Sequence, residues 1–380
     1  MKKTIFISIL IAILVFTLTN SVLSQENTNI LQLNHFEVLY PALISFGFVT
    51  SYLILDLFYN VGFSDSISYE LLDLSLFLTV LPMFFYNLPM ALIFSATSLG
   101  LYFLSETLYD IDEDFLAQLP SNGFMDFSFF TTYAIYRDRR KLAKIGIYNN
   151  NWREEAFGNS SFISYFPYEK LAKWEPQSFF DLVIAPISKK GLSDALLFPI
   201  IPAGLIAPFL QQLLAGNNFE QSIFATGKAF IGMHELPILL GVPIMAVFLY
   251  ALCSFVAIGE ESLFRGFIYE ELGSSYNEWV AKISDMLIFP LFHVPSEIEF
   301  YQQNPEYFLN YFIRRSILTF YIDLMYDRGG LLRSVAFHFW VDFTQLLAFY
   351  LIYGGVAHDD FTDIIGMYFK RIEIQFSFSF

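Results

Sequence analysis

The sequence predicts an all-α polytopic membrane protein, a helical bundle of about seven or eight transmembrane helices with an extramembrane insertion. Of the 380 residues, 55% are hydrophobic and only 15% are charged, a balance far more apolar than that of soluble proteins. Several apolar stretches reach the roughly 20 residues that a helix needs to cross about 30 Å of hydrocarbon. We therefore expect an integral membrane protein whose lipid partners cover most of its surface.

Six long apolar stretches carry this prediction. They are Leu39–Tyr59, Leu72–Leu104, Ala195–Leu214, Leu236–Ile258, Tyr307–Met325 and Leu331–Tyr353. The second stretch is long enough for two helices that meet near Pro89. Shorter apolar pieces, together with the N-terminal segment, bring the expected number of spans to seven or eight.

The first 25 residues resemble a cleavable signal peptide. Lys2 and Lys3 precede an apolar stretch, and the small residues Val22 and Ser24 precede Gln25, which is the order of such a segment. An uncleaved first transmembrane helix is the alternative. A signal-bearing chain indicates a bacterial source, so we expect the protein in the inner (cytoplasmic) membrane.

The predicted organisation has four parts: 1–24, the signal peptide or first transmembrane helix; 25–190, N-terminal spans with the insertion; 191–355, a C-terminal membrane domain; and 356–380, a tail. In the insertion, between Ser105 and Lys190, the run FMDFSFFTTYAIY alternates with a period of two and predicts strands or an extended extramembrane segment. The tail RIEIQFSFSF also alternates, as the last strand of an outer-membrane barrel does. Barrels consist of such segments throughout, so we predict only a strand or an edge segment at the membrane surface.

Charge and cysteine content exclude two kinds of site. The formal net charge is −16, which argues against nucleic-acid partners because phosphate binding needs clustered Lys and Arg. The single Cys253 excludes an intrachain disulfide and a cysteine-based zinc site.

Charged residues interrupt the end of one predicted span, in the sequence GEESLFRGFIYEEL. Glu261 and Arg265 are four residues apart, so they share a helix face and can pair. Glu260 points about 100° away from Glu261 and stays available for another role.

Two further polar motifs lie in apolar surroundings. His293 ends FPLFH, and HFWVD places His338 and Asp342 on one helical face. Ionisable residues at membrane depth are costly and usually face a bundle interior or a wet cavity. They predict a functional site, with a polar network that only holds helices together as the alternative.

The ordered set EExxxR, FxxxH and HxxxD resembles the motifs of the CPBP family of intramembrane proteases. This family includes the type II CAAX prenyl endopeptidases and the Abi-like bacteriocin-processing or self-immunity proteins of bacteria. The motifs are present as Glu260, Glu261 and Arg265; Phe289 and His293; and His338 and Asp342. The resemblance covers roughly 236–353 and implies that 191–355 is a CPBP-like protease domain.

The resemblance implies a role for each motif residue. Glu260 would be the general base that activates a water, and His293 would help to hold that water. His338 and Asp342 would steady the oxyanion or contribute to a metal site, and Glu261 and Arg265 would form a supporting pair. The family often has Asn where this chain has Asp342, and an ionised Asp cannot donate a hydrogen bond to an oxyanion.

The cofactor is left open between Zn²⁺ and none. Glu260, His293, His338 and Asp342 would suffice as zinc ligands, but the sequence has no HExxH signature. Glutamate-dependent hydrolysis without a metal is therefore an equal alternative to a metalloprotease mechanism.

The predicted function is that of an endopeptidase acting on a peptide or membrane-anchored protein substrate. One alternative is a non-catalytic immunity or binding scaffold of the same family. Another is a proton-coupled membrane transporter, since intramembrane carboxylates and histidines also serve as proton relays.

Overall fold

The computed structural model describes residues 35–62, 69–111, 113–146, 174, 176–194, 197–214, 216 and 219–357. The predicted signal segment 1–24 and the alternating sequence at the end of the tail lie outside the described residues. The first described elements are α1 (His35–Asn60), α2 (Tyr69–Leu78), a 3-10 helix (Leu81–Phe85), α3 (Leu88–Asp110), α4 (Asp114–Gly146), α5 (Phe179–Val183), a second 3-10 helix (Ala185–Ile187) and α6 (Lys189–Leu192).

The remaining described elements run from Leu197 to Tyr353. They are α7 (Leu197–Leu214), α8 (Ile223–Thr226), β1 (Lys228–Ile231), β2 (His234–Pro237), α9 (Ile238–Leu263), a π-helical segment (Phe264–Tyr269), α10 (Glu270–Ser275), α11 (Glu278–Phe292), α12 (Val294–Gln303), α13 (Pro305–Gly329) and α14 (Leu331–Tyr353).

Four helices of the described part of the chain are long and apolar enough to cross a membrane. They are Leu39–Asn60, Leu88–Asp110, Ile238–Ser275 and Leu331–Tyr353. The all-α membrane class predicted from the sequence is thus confirmed. The third helix continues from α9 through the π-helical segment into α10.

The predicted pair of spans in Leu72–Leu104 is wrong. α2 has only ten residues and is followed by the 3-10 helix that begins at Leu81, with Pro82 in its first turn. Proline lacks the backbone N–H that an α-helix needs, so the helix does not continue. Among the elements of this stretch, α3 alone has the length of a span.

Two other predicted spans differ in length or composition. α7 has 18 residues, and its apolar part, Pro199–Leu214, is shorter than a full span. α13 has 25 residues, about 37 Å of helix, but it is less apolar than the four spans because it carries several charges. Exposed Leu309, Ile313 and Ile317 follow one face of α13, so a span there stays our prediction.

The strands predicted in the insertion are absent where the structure describes it. The run FMDFSFFTTYAIY lies within α4, and nearly all of it is buried. Its hydroxyl groups find partners inside the protein: Thr131 donates to the carbonyl of Phe127 at 2.9 Å, and Thr132 is 2.8 Å from the hydroxyl of Ser45. Because these groups need no water, their alternation with phenylalanine does not mark a solvated strand face.

One small antiparallel hairpin was not predicted. β1 pairs with β2 in the register Lys228↔Pro237 to Ile231↔His234. Gly232 in the turn has φ of 58°, a left-handed conformation that favours glycine.

The described residues divide into two compact units. The first lies within 1–99, 127–176 and 259–327, and the second within 100–126, 177–258 and 328–380. In the first unit, α1 is joined to α12 by a hydrogen bond from the Asn60 amide to the carbonyl of Pro295, at 3.0 Å.

In the second unit, α14 packs closely against α7 at Gly204. A Cβ atom at Gly204 would lie 1.9 Å from the hydroxyl oxygen of Thr344. That hydroxyl donates to the carbonyl of Trp340 at 2.6 Å, so it cannot move aside without losing a hydrogen bond. The absence of a side chain at Gly204 therefore permits the contact between the two helices.

Replacing Gly204 with alanine is expected to destabilise the protein by about 1–3 kcal/mol, the usual cost of overpacking. The measurement is the Tm in detergent, with Gly47→Ala as the control. A Cβ atom at Gly47 meets nothing within 4 Å, and alanine favours a helix over glycine by about 1 kcal/mol. An equal Tm for both variants would contradict the predicted close packing.

Candidate active site

Glu260 and His293 lie together in the first unit. Glu260 is in the last turn of α9, and His293 lies at the joint between α11 and α12. The Nε2 atom of His293 is 3.4 Å from Oε1 of Glu260. The structure thus brings together two of the predicted site residues that are 33 positions apart.

The orientation of the His293 ring is fixed from its other side. Nδ1 lies 2.8 Å from the carbonyl oxygen of Phe289. A carbonyl only accepts, so Nδ1 carries the hydrogen and Nε2 faces Glu260. The ring also packs against Phe289, with centroids 4.9 Å apart. In its neutral form, His293 therefore presents a lone pair to the carboxylate.

Glu261 and Arg265 form the predicted pair, with 3.2 Å between Oε1 and Nη1. Arg265 also binds two carboxylates that we did not predict, Asp285 at 3.1 Å and Asp323 at 3.0 Å from Nε. All four side chains are fully buried. The supporting pair is in fact a cluster of three carboxylates around one guanidinium, which joins three helices of the first unit.

The sequence contained a signal for these two missed residues. Asp323 lies inside the predicted span Tyr307–Met325, and Asp285 immediately precedes the apolar stretch that leads to His293. Buried carboxylates are seldom found without a partner. Ionisable residues in apolar stretches are costly and usually functional or paired, and this criterion would have identified Asp285 and Asp323 as it identified Glu260. It could not have named Arg265 as their partner.

The helix that carries Arg265 changes to π geometry from Phe264 to Tyr269. Within this segment, Gly266 packs directly against Tyr133, where an added Cβ atom would lie 2.5 Å from the aromatic ring. Short π-helical insertions are frequent at functional sites. Here the segment begins one residue before the central cation of the carboxylate cluster.

A second ion pair lies one turn beyond His293. Glu297 on α12 pairs with Arg315 on α13, and the Tyr301 hydroxyl donates to Glu297 at 2.5 Å. Burial acts to raise the pKa of Glu297, but the hydrogen bonds and charge of Arg315 outweigh it and hold that pKa below the ordinary value. Glu297 is therefore ionised across the neutral range.

The stabilising contribution of Glu297 is expected to depend on pH. The pKa of Glu297 is lower in the folded state than in the unfolded state. Its contribution to stability is therefore complete above the pKa of an unfolded glutamate, about 4.3, and is lost as the pH falls through the lower pKa of the folded state. Glu297→Gln should lower Tm at pH 7, and its difference from wild type should shrink near pH 3. Equal differences at both pH values would contradict this. Glu278→Gln, in an exposed position, is the control.

His338 and Asp342 form a pair within the second unit. Nε2 of His338 is 3.2 Å from Oδ2 of Asp342, and His338 is the more deeply buried of the two. The indole N–H of the intervening Trp340 donates to the carbonyl of Pro186 at 2.9 Å, which fixes the rotation of α14. The two side chains that the sequence places on one helical face are thus in contact.

The described residues form no cluster of metal ligands. No group of three or more His, Cys, Asp or Glu side chains suited to a metal ion occurs among the described residues. The binding of Zn²⁺ therefore stays a prediction.

The segment that contains Glu260, His293, His338 and Asp342 matches a known protein family. Residues 242–344 match the model of the type II CAAX prenyl endopeptidase Rce1-like family. This match confirms the resemblance to CAAX-type proteases. It covers all six predicted site residues and supports a CAAX-type intramembrane protease activity in general terms. No curated protein and no solved structure matches the chain significantly.

Proposed function

We propose that the chain is an intramembrane endopeptidase that hydrolyses peptide bonds of membrane-associated substrates with a water activated by Glu260. The contact between Glu260 and His293 carries this proposal. Nε2 of neutral His293 and an ionised Glu260 both accept hydrogen bonds and lie 3.4 Å apart. A water that donates one hydrogen to each would satisfy both groups.

The proposed reaction follows from that arrangement. Glu260 takes a proton from the water as the water oxygen attacks the carbonyl carbon of the substrate, and a tetrahedral oxyanion forms. The carbon–nitrogen bond then breaks, and the proton held by Glu260 passes to the leaving amine. His293 orients the water and is neither consumed nor altered.

The oxyanion needs hydrogen-bond donors, a role that the family resemblance gives to His338 and Asp342. An ionised Asp342 is only an acceptor. Its contact with Nε2 of His338 instead suits it to orient the imidazole. Because Nε2 of His338 faces Asp342, we assign orientation to Asp342 and donation to an Nδ1–H of His338, which requires the imidazolium form with a hydrogen on both nitrogens.

The expected substrates are peptides or membrane-anchored proteins, and the expected location is the bacterial inner membrane. The signal-like N-terminus and the four apolar helices support this location. Zn²⁺ held by Glu260, His293, His338 and Asp342 would supply a Lewis acid. Chelation distinguishes such a metal mechanism from glutamate-dependent hydrolysis.

The test is cleavage of a pooled membrane-peptide library by the purified protein in liposomes, with Glu260→Gln as the inactive control. Cleavage by the wild type that a chelator leaves unchanged supports the glutamate mechanism, and loss on chelation with recovery on adding Zn²⁺ supports the metal mechanism. If the folded wild type cuts nothing, the scaffold and transporter alternatives are favoured. Proton uptake by the same liposomes then distinguishes between these two.

A further inference from the structure

Residues 178–193 form a run of short helical pieces that the proposed reaction does not use. The run consists of α5, the second 3-10 helix and α6, none of which exceeds five residues. By sequence, most of it belongs to the predicted extramembrane insertion. Within the second unit, however, it contacts α9 and α14, which are long and apolar enough to cross a membrane.

These two helices provide a scale of depth for the run. The rings of Tyr250 and Phe339 are 4.9 Å apart, and Gly241 lies beside Tyr350, so α9 and α14 run side by side in opposite directions. A helix advances about 1.5 Å with each residue. Trp340 is the tenth residue of α14. It therefore lies about 14 Å from the start of that helix, nearly half of the roughly 30 Å hydrocarbon core.

The first half of the run descends along α9. At its start, the rings of Phe179 and Phe255 are 6.0 Å apart. The carbonyl of Val183 then accepts a hydrogen bond from the Tyr250 hydroxyl at 2.9 Å. Tyr250 precedes Phe255 by five residues, which is about 8 Å of helix. Val183 thus lies that much farther than Phe179 from the membrane face at which α14 begins.

The second half of the run returns along α14. The carbonyl of Pro186 accepts a hydrogen bond from the indole N–H of Trp340 at 2.9 Å. Gly191 packs against Ala336, where an added Cβ atom would lie 3.0 Å from the alanine Cβ. Ala336 precedes Trp340 by four residues, which is about 6 Å of helix. The run therefore turns near the middle of the two helices and leads back toward the face from which it came.

Charged side chains mark that face. Asp194, which follows the run, pairs with Arg328 at 3.2 Å and with Arg333 in the first turn of α14 at 3.3 Å. Lys189 and Lys190 on the returning half are exposed, and long basic side chains extend along apolar surfaces to place their charge at the membrane boundary. The sequence LVIAPIS at the turn carries no charge, so the charges lie outside the turn.

The backbone at the turn forms its hydrogen bonds within the protein. The four successive carbonyls of residues 183–186 each accept one, from Tyr250 and Trp340 at the two ends and from Ile187 and Ser188 between them. Irregular backbone occurs at membrane depth only where the protein or a wet cavity satisfies its polar groups. The turn meets this condition.

The outer surface of the run is apolar. The exposed fractions of Phe180, Ile184 and Ile187 are 70%, 37% and 63%. On α9, Val247 is 71% exposed and lies one turn before Tyr250, which binds the run. The exposed side chains of the run therefore continue the surface that a membrane-spanning α9 presents to lipid.

We propose that residues 178–193 form a re-entrant segment, which enters and leaves the bilayer at the same face, and that Phe180, Ile184 and Ile187 contact lipid acyl chains. Tyr250 and Trp340 hold the re-entrant segment at depth through their hydrogen bonds to its backbone. This placement in the membrane does not depend on the proposed function.

The experiment measures the depth of nitroxide spin labels on the full chain in liposomes. Cys253 is the sole cysteine and is replaced with alanine. Single cysteines are then introduced at exposed positions, which the labels occupy without disturbing packing: Phe180, Ile184, Ile187, Ser193 and, as references, Val247 in α9 and Lys228 in the β-hairpin. Relaxation of each label by oxygen, which dissolves in lipid, is compared with relaxation by a water-soluble nickel chelate.

Labels at Ile184 and Ile187 should resemble the label at Val247. Their ratio of oxygen to nickel relaxation should exceed that at Lys228 several-fold. The label at Ser193 should resemble the one at Lys228, because the re-entrant segment has returned to the membrane face there.

Three results would overturn the proposal. Nickel relaxation at Ile184 and Ile187 equal to that at Lys228 would place the re-entrant segment outside the bilayer. A depth that increases steadily from Phe180 to Ser193 would indicate a crossing. Protection of Ile184 and Ile187 from both relaxing agents would indicate that a second copy of the chain, and not lipid, covers them.

Two further variants test how the re-entrant segment is held. Tyr250→Phe and Trp340→Phe each remove one donor to its backbone, so nickel relaxation of the label at Ile187 should rise several-fold. Tyr276→Phe, at an exposed position, is the control and should leave it unchanged. Equal relaxation in all three variants would contradict the anchoring role. If either variant fails to fold, the label depths on the otherwise unchanged chain still decide the placement.

Discussion

Replacing Glu260 with glutamine is expected to lower kcat by about 10²–10⁴-fold, the contribution of a general base. Glutamine has nearly the same shape and can still accept a hydrogen bond, but it cannot take the proton of the attacking water. The contact with His293 at 3.4 Å leaves the variant able to bind a water without activating it. KM and Tm should therefore change little.

The measurement is steady-state cleavage of the best peptide from the library, together with Tm. Glu278→Gln is the control because Glu278 is exposed and pairs with Lys282, which keeps a second partner in Asp327. A Glu260→Gln variant that cleaves at the wild-type rate while folded would refute Glu260 as the base, whatever the zinc dependence.

Replacing Arg265 with glutamine is expected to destabilise the protein by about 3–5 kcal/mol, the cost of removing one partner from a buried ion pair. Three fully buried carboxylates, those of Glu261, Asp285 and Asp323, would lose their cation. The ring of Phe289, which now lies 4.8 Å from the guanidinium, would border a buried negative charge.

Both a control and a compensating change are available. Lys228→Gln breaks an ion pair whose side chains are about half exposed, and such pairs contribute only about 0–1 kcal/mol. Adding Asp285→Asn and Asp323→Asn to Arg265→Gln should recover much of the lost Tm, because these changes remove two of the three unpaired charges. If Arg265→Gln and Lys228→Gln proved equally mild, the cluster would not have the stabilising role that we assign to it.

The contacts that sequence spacing can indicate are those set by a single helix. Glu261 with Arg265 and His338 with Asp342 are each four residues apart, so helical geometry alone brings them together. Asp285 and Asp323 meet Arg265 only through the packing of three helices. No spacing rule encodes that arrangement, and the same holds for Glu297 with Arg315.

The fold was predicted where apolar length decides the outcome and missed where packing does. Four helices in the described part of the chain are long and apolar enough to be spans, because hydrocarbon thickness fixes the length of such a segment. The run FMDFSFFTTYAIY in α4 predicts strands or an extended segment by its partial period of two, whereas its burial within the protein permits a helix.

The π-helical segment affects how the sequence of the helix Ile238–Ser275 aligns with related sequences. A π turn accommodates one residue more than the α turn that it replaces, which corresponds to an insertion of a single amino acid. Removing one residue between Phe264 and Tyr269 would rotate everything after it by about 100° and turn Glu270 away from Arg140 and Tyr326, its present partners. Evolutionary gain or loss of one residue after Arg265 would therefore reorient the end of the helix, Glu270–Ser275, while leaving the EExxxR motif intact in an alignment.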